Sequence, residues 1–232
     1  MTPVFHNTVP GMATIMLLVS AVVMTSPALA DGSCPGRDAP VQITLNTRFD
    51  PARLDHTRSR AQIHTMFQDS QSQPTMPVGG GAVGLTVTNA AFGFRTRIEL
   101  FHRRDGMVCV YLRSVEAHMN QVDTVVYVAR EYPKGSCNYD NIYEHEKMHV
   151  GVYYFTQRDY APRVRERLQR LVRGINPQVV RTEAAAREVH TEILNRGVAD
   201  LLADMEAERK RRNSALDTPE NYRREQAKCP SW

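Results

Sequence analysis

The chain has 232 residues and a formal net charge of +4, with 23% charged residues. That length suits one domain with a moderate core. Its arginine runs, Arg163-Val164-Arg165-Glu166-Arg167 and Glu208-Arg209-Lys210-Arg211-Arg212, are interleaved with acids or apolar residues, which describes solvated helix faces and argues against a nucleic-acid groove.

Residues 12–24 form an apolar run too short to span a bilayer, and Ala28-Leu29-Ala30 follows with small residues at cleavage spacing. The expectation is a signal peptide over residues 1–30, cleaved after Ala30, and a periplasmic or secreted product without stable membrane insertion. The segment has no Lys or Arg, so a retained anchor is the competing reading. The remaining four cysteines, Cys34, Cys109, Cys137 and Cys229, include no Cys-x-x-Cys pair. In an exported chain they imply two disulfides, and all three connectivities stay open.

Residues 41–46 alternate apolar and polar side chains as a strand does. Asp50-Pro51 begins a segment that predicts a short helix somewhere in 50–67, where His56 and His64 read as surface or packing histidines. Residues 69–81 are rich in Gln, Ser, Pro and Gly and predict a loop. Four strands are then expected, at 83–89, 94–102, 107–116 and 122–131, with Arg104-Asp105-Gly106 as a hairpin turn. The β-branched run from Val122 to Ala129 places the last of them deep in the sheet. Short connections between successive strands favour an antiparallel sheet.

After the breaker-rich Tyr132-Pro133-Lys134-Gly135-Ser136-Cys137, an apolar stripe runs through Ile142, His145, His149, Tyr153, Tyr160, Val164, Leu168, Leu171 and Ile175. It keeps phase across Pro162, which predicts one long helix with a kink. Gly174-Ile175-Asn176-Pro177 stops that helix, and a second one is expected from about 178 to 212, lying antiparallel to the first. The tail should return toward the start of the first helix, where Cys229 could anchor it. The expected fold is therefore α+β: an antiparallel sheet over 41–131, a zincin-like helix, and a long antiparallel helical hairpin over 138–213. Residues 214–232 close a single domain that spans 31–232.

One stretch carries chemistry. His145-Glu146-Lys147-Met148-His149 is a His-Glu-x-x-His sequence, and residues four apart share one helix face, so both imidazoles can aim at one zinc ion. Glu146 then stands beside the metal as a general base for an attacking water. Phe155 occupies the position where a metzincin has its third histidine, so that subclass is excluded. If the helices turn near residue 175, His145 and His149 face residues 201–206. Asp204 and Glu208 are then the nearest oxygen donors, Glu183 and His190 serve only if Pro162 breaks the helix, and Glu220 and Tyr222 are options from the tail. Tyr143, Tyr153 or Tyr154 could stabilise an oxyanion.

The layout over roughly residues 109–222 resembles a class of exported bacterial zinc-dependent proteases, the domain-of-unknown-function family DUF922. It has the cysteine-bearing strand, a strand ending near a proline, His-Glu-x-x-His, a long helical section and a short closing motif. In that family the closing motif carries an acid followed five positions later by a histidine. Asp217 matches the acid, while Tyr222 stands at the histidine position. The resemblance implies a zinc metallopeptidase acting on peptide or protein substrates. The rival reading is a non-catalytic envelope or secreted module with a structural or vestigial zinc site, closed by four protein ligands.

Overall fold

A computed structural model of the chain describes residues 33–36, 39–69 and 81–232. The expected signal peptide and nearly all of the expected 69–81 loop lie outside these residues. In chain order the elements are β1 (Gln42–Phe49), β2 (Arg53–Asp55), α1 (Arg60–Asp69), β3 (Gly84–His102), β4 (Val108–Val128), α2 (Cys137–Leu171), β5 (Gln178–Val180), α3 (Glu183–Leu216) and α4 (Pro219–Gln226). None of the described helices is long and apolar enough to cross a membrane.

The expected antiparallel sheet is corrected by the pairing. The main path through the sheet is β1-β4-β2, and both of its pairings are parallel. The β3–β4 hairpin and the β5–β4 pair are antiparallel. The cause lies in β4, which takes the centre of the sheet and pairs with β3 along nearly its whole length. Its other edge receives β5 at Val108–Val110, β1 at Ser114–Gln121 and β2 at Val125–Tyr127. β1 and β2 both precede the hairpin in sequence and dock beside β4 running parallel to it. Short connections between successive strands favoured antiparallel pairing throughout, whereas burial of the apolar β4 put it between β1 and β3.

The four expected strands are two long ones, β3 and β4. β4 carries an extra residue opposite β3 at Val87/Asn89 and again at Arg97/Ile98, and Asp123 at the first bulge has φ +55°. Each extra residue exchanges the two faces of β4. Its buried residues toward the long helices are therefore Val108, Val110 and Leu112, then Val115, Ala117 and Met119, then Val126 and Val128. β3 keeps one parity, with Phe94, Ile98 and Leu100 on that same core.

α2 and α3 cover this face, contributing Tyr160, Val164, Leu168, Ala186, Leu194, Val198, Leu201 and Met205 to the main core. α2 is continuous through Pro162, as its apolar stripe predicts. On the opposite face, Ile63 and Phe67 of α1 pack on Leu85 and Ala129, and Cys34 packs with Phe101, Cys109 and Tyr111. The disulfides are Cys34–Cys109 and Cys137–Cys229, so the tail does return to the first turn of the motif helix.

Candidate metal centre

Ser136 caps α2, its hydroxyl accepting from the Tyr139 amide, and the motif lies two turns in. Gly84 of β3 lets the sheet approach that turn closely. A Cβ there would fall 2.5 Å from Glu146 Oε1 and 2.7 Å from Ile142 Cγ2, closer than real contacts allow. Glu146 is 1% exposed, with the Thr86 hydroxyl 2.9 Å from its Oε2 and 3.0 Å from its backbone oxygen. Burial pushes this carboxyl up to about 7, although the nearby histidines and Thr86 oppose the shift.

His145 and His149 turn the other way, toward the end of α3. Their Nε2 atoms are 3.1 Å apart, and Asp217 Oδ1 lies 3.1 Å from His145 Nε2 and 3.3 Å from His149 Nε2. All three side chains are at most 5% exposed. Asp217 is fixed at a corner where it caps the end of α3, while Thr218 caps the start of α4 and Pro219 takes its first turn. Asn221 ties the corner by donating to the carbonyls of Ala215 and Leu216 at 2.8 and 3.0 Å. Tyr222 donates to the same Asp217 Oδ1. Asp217 Oδ2 is buried without a hydrogen-bond partner.

The outer nitrogens are also held. His149 Nδ1 is 3.0 Å from Asn213 Oδ1, and His145 Nδ1 is 2.9 Å from Glu225 Oε2. Donation from His149 Nδ1–H to Asn213 turns its Nε2 lone pair toward the centre, and the Glu225 carboxylate stands in ion-pair contact with Nδ1 of His145, whose Nε2 also faces the centre. Two lone pairs and a carboxylate oxygen then meet at 3.1–3.3 Å, which a cation relieves. Zinc with donors at about 2.0–2.1 Å in a tetrahedron separates them by roughly 3.3 Å. The spacing and the donor types both fit, and the cluster can coordinate a divalent metal. Without a metal, a proton on His145 serves instead. Burial opposes it, but hydrogen bonding to Asp217 and Glu225 prevails and pushes His145 up to about 10.

The third member is therefore Asp217, which the hairpin register pointed away from. Across the helices Arg167 meets Asp200 at 2.7 Å, Arg209 lies over the Tyr153 ring and His149 meets Asn213. Continuing that progression places His145 opposite Asp217. Compared with a turn at residue 175, the register has moved by about three helical turns, because residues 172–182 leave the helix. There Asn176 bonds both backbone groups of Leu112, with the amide of Leu112 donating at 2.7 Å and Asn176 donating to its carbonyl at 2.8 Å. β5 then pairs with β4.

The other expected donors are elsewhere. Asp204 is exposed on α3. Glu208 binds Arg211 and Arg212, whose hydrogen bonds hold it down at about 2. Glu183 lies 3.2 Å from His102, His190 is buried on the core side of α3, and Glu220 is exposed. Tyr222 alone of that set reaches the cluster. His56 bonds the Tyr132 carbonyl and His64 the Ala82 amide, as packing histidines do. Tyr143 and Tyr154 line an apolar groove of 390 Å³ on the far side of α2, with Leu54, Val126 and Phe155. Tyr153 is buried under Arg209, so none of the three tyrosines offers an oxyanion donor beside the cluster. Glu225 and Asn213 were not anticipated, since only the folded register brings them to the histidines.

A buried His-Glu-x-x-His with a distant aspartate is thus a zincin-like arrangement, consistent with a metal-dependent hydrolase site. No family model matches the chain, and no curated protein or solved structure matches it significantly.

Proposed function

We propose that this chain is a zinc-dependent metallohydrolase, and within that class a peptidase, exported through the segment at residues 1–30. His145, His149 and Asp217 are the metal ligands and Glu146 is the general base. The layout shared with the DUF922 class supports the peptidase assignment. The observation that carries the catalytic reading is Glu146, a carboxylate buried on the motif turn yet outside the three-donor cluster. A site that only ties helices together has no use for a further buried acid on the motif turn, and burying it costs stability.

Bound zinc supplies a Lewis acid that polarises a scissile carbonyl. Glu146 would take a proton from the attacking water and return it to the leaving amine, with the Thr86 hydroxyl holding its Oε2. The rival, a structural site in a non-catalytic module, is favoured by one observation: Tyr222 closes the cluster from α4. Glu146→Gln separates the two. It is expected to keep stoichiometric zinc and to lower peptide hydrolysis by about 10²-fold or more. Hydrolysis at the wild-type rate by purified Glu146→Gln protein would remove this mechanism.

A further inference from the structure

Resting on that metal site, we infer that Tyr222 is its fourth protein donor, seated at the position that a working hydrolase must offer to substrate. The Tyr222 hydroxyl lies against Asp217 Oδ1, the one oxygen on which both imidazoles converge. Its ring is 5.5 Å from that of His145, and the residue is 4% exposed. A catalytic zinc keeps one of four positions open, and a structural zinc fills all four from the protein. Here three positions come from His145, His149 and Asp217, and the fourth is assigned to the Tyr222 hydroxyl beside Asp217 Oδ1.

The element that carries Tyr222 is separable from the ones that carry the ligands. α4 has eight residues and is held by a few identifiable ties. Glu225 faces His145, Asn141 donates to the Glu225 carbonyl, Asn138 donates to the Ser231 carbonyl at 2.7 Å, and Cys229 is bonded to Cys137. Asp217 itself caps the end of α3, joined to α4 by the hydrogen bonds of Asn221 and Tyr222. Displacing α4 therefore removes the phenol and leaves three donors.

The test uses the full protein loaded with cobalt(II), with azide as the probe and metal content measured first. Wild type is expected to hold one cobalt and to show little change in its visible spectrum on azide addition. Tyr222→Phe, which keeps the ring and loses only the oxygen, is expected to retain cobalt and to bind azide at least tenfold more tightly. Equal azide affinity in the two proteins overturns the inference while leaving the three-ligand site intact. Failure of wild type to take up cobalt or zinc overturns both. A second measurement needs no variant: copper(II)-loaded wild type should show no fast-exchanging inner-sphere water in solvent proton relaxation, and such a water would refute the assignment of Tyr222.

Discussion

Carboxylates grip His145 at both ring nitrogens, Asp217 at Nε2 and Glu225 at Nδ1, and only the first is a donor of the cluster. The two acids should therefore fail differently. Asp217→Ala removes a ligand, and zinc binding is expected to be lost. Glu225→Ala leaves all three ligands but frees the His145 ring to rotate, and zinc affinity should fall roughly 10- to 100-fold. Competition against a chromophoric chelator measures both, and an unchanged affinity in Glu225→Ala would contradict the orienting role. Gly84 is the third sensitive position. The Cβ of Gly84→Ala would overlap Glu146 and Ile142, so a loss of about 1–3 kcal/mol in urea unfolding is expected.

Among the elements, α3 is the one whose contents depart furthest from its stripe. His190 sits in line with Ala186 and Leu194, 1% exposed, and neither of its ring nitrogens has a hydrogen-bond partner. Burial pushes it down from 6.5 to about 4, so the unfolded chain takes up a proton at a pH where the folded chain does not. Stability should decline as pH falls from about 6.5 toward 4. His190→Leu should flatten that limb, and unfolding midpoints in urea at pH 7 and pH 5 measure it. An identical pH dependence in the variant would place the acid sensitivity elsewhere. The same element shows why the third ligand was not legible in the sequence. Helix periodicity fixes which face of α3 is buried, the one that carries Ala186, His190, Leu194, Leu201 and Met205. It does not fix the offset between helices, which was set by Asn176 on the backbone of Leu112 and by β5 on β4. The strands were located but each divided in two, and the two bulges in β4 reverse the alternation within it.

Across the whole molecule, the centre is assembled from segments far apart in sequence: β3 beside Glu146, α2 with both histidines, the end of α3 with Asp217, and α4 with Tyr222 and Glu225. What the sequence made legible was the part contained in one helical turn, together with a tail that returns to it. The disulfides divide along this line. Cys137–Cys229 spans 92 residues and ties α4 to the motif helix, whereas Cys34–Cys109 spans 75 and lies on the opposite face of the sheet. Loss of either should cost about 2–5 kcal/mol. Only Cys137→Ser/Cys229→Ser is expected to weaken zinc binding as well, because it loosens Glu225, and equal zinc affinity in the two double variants would argue against that coupling.

The central claim is that three side chains hold one zinc ion, and elemental analysis of the purified protein after exposure to zinc and exhaustive dialysis tests it most directly. The expected result is one zinc per chain in wild type and in Glu146→Gln, and none in Asp217→Ala. Wild type emerging without zinc, or Asp217→Ala retaining it in full, would contradict the account.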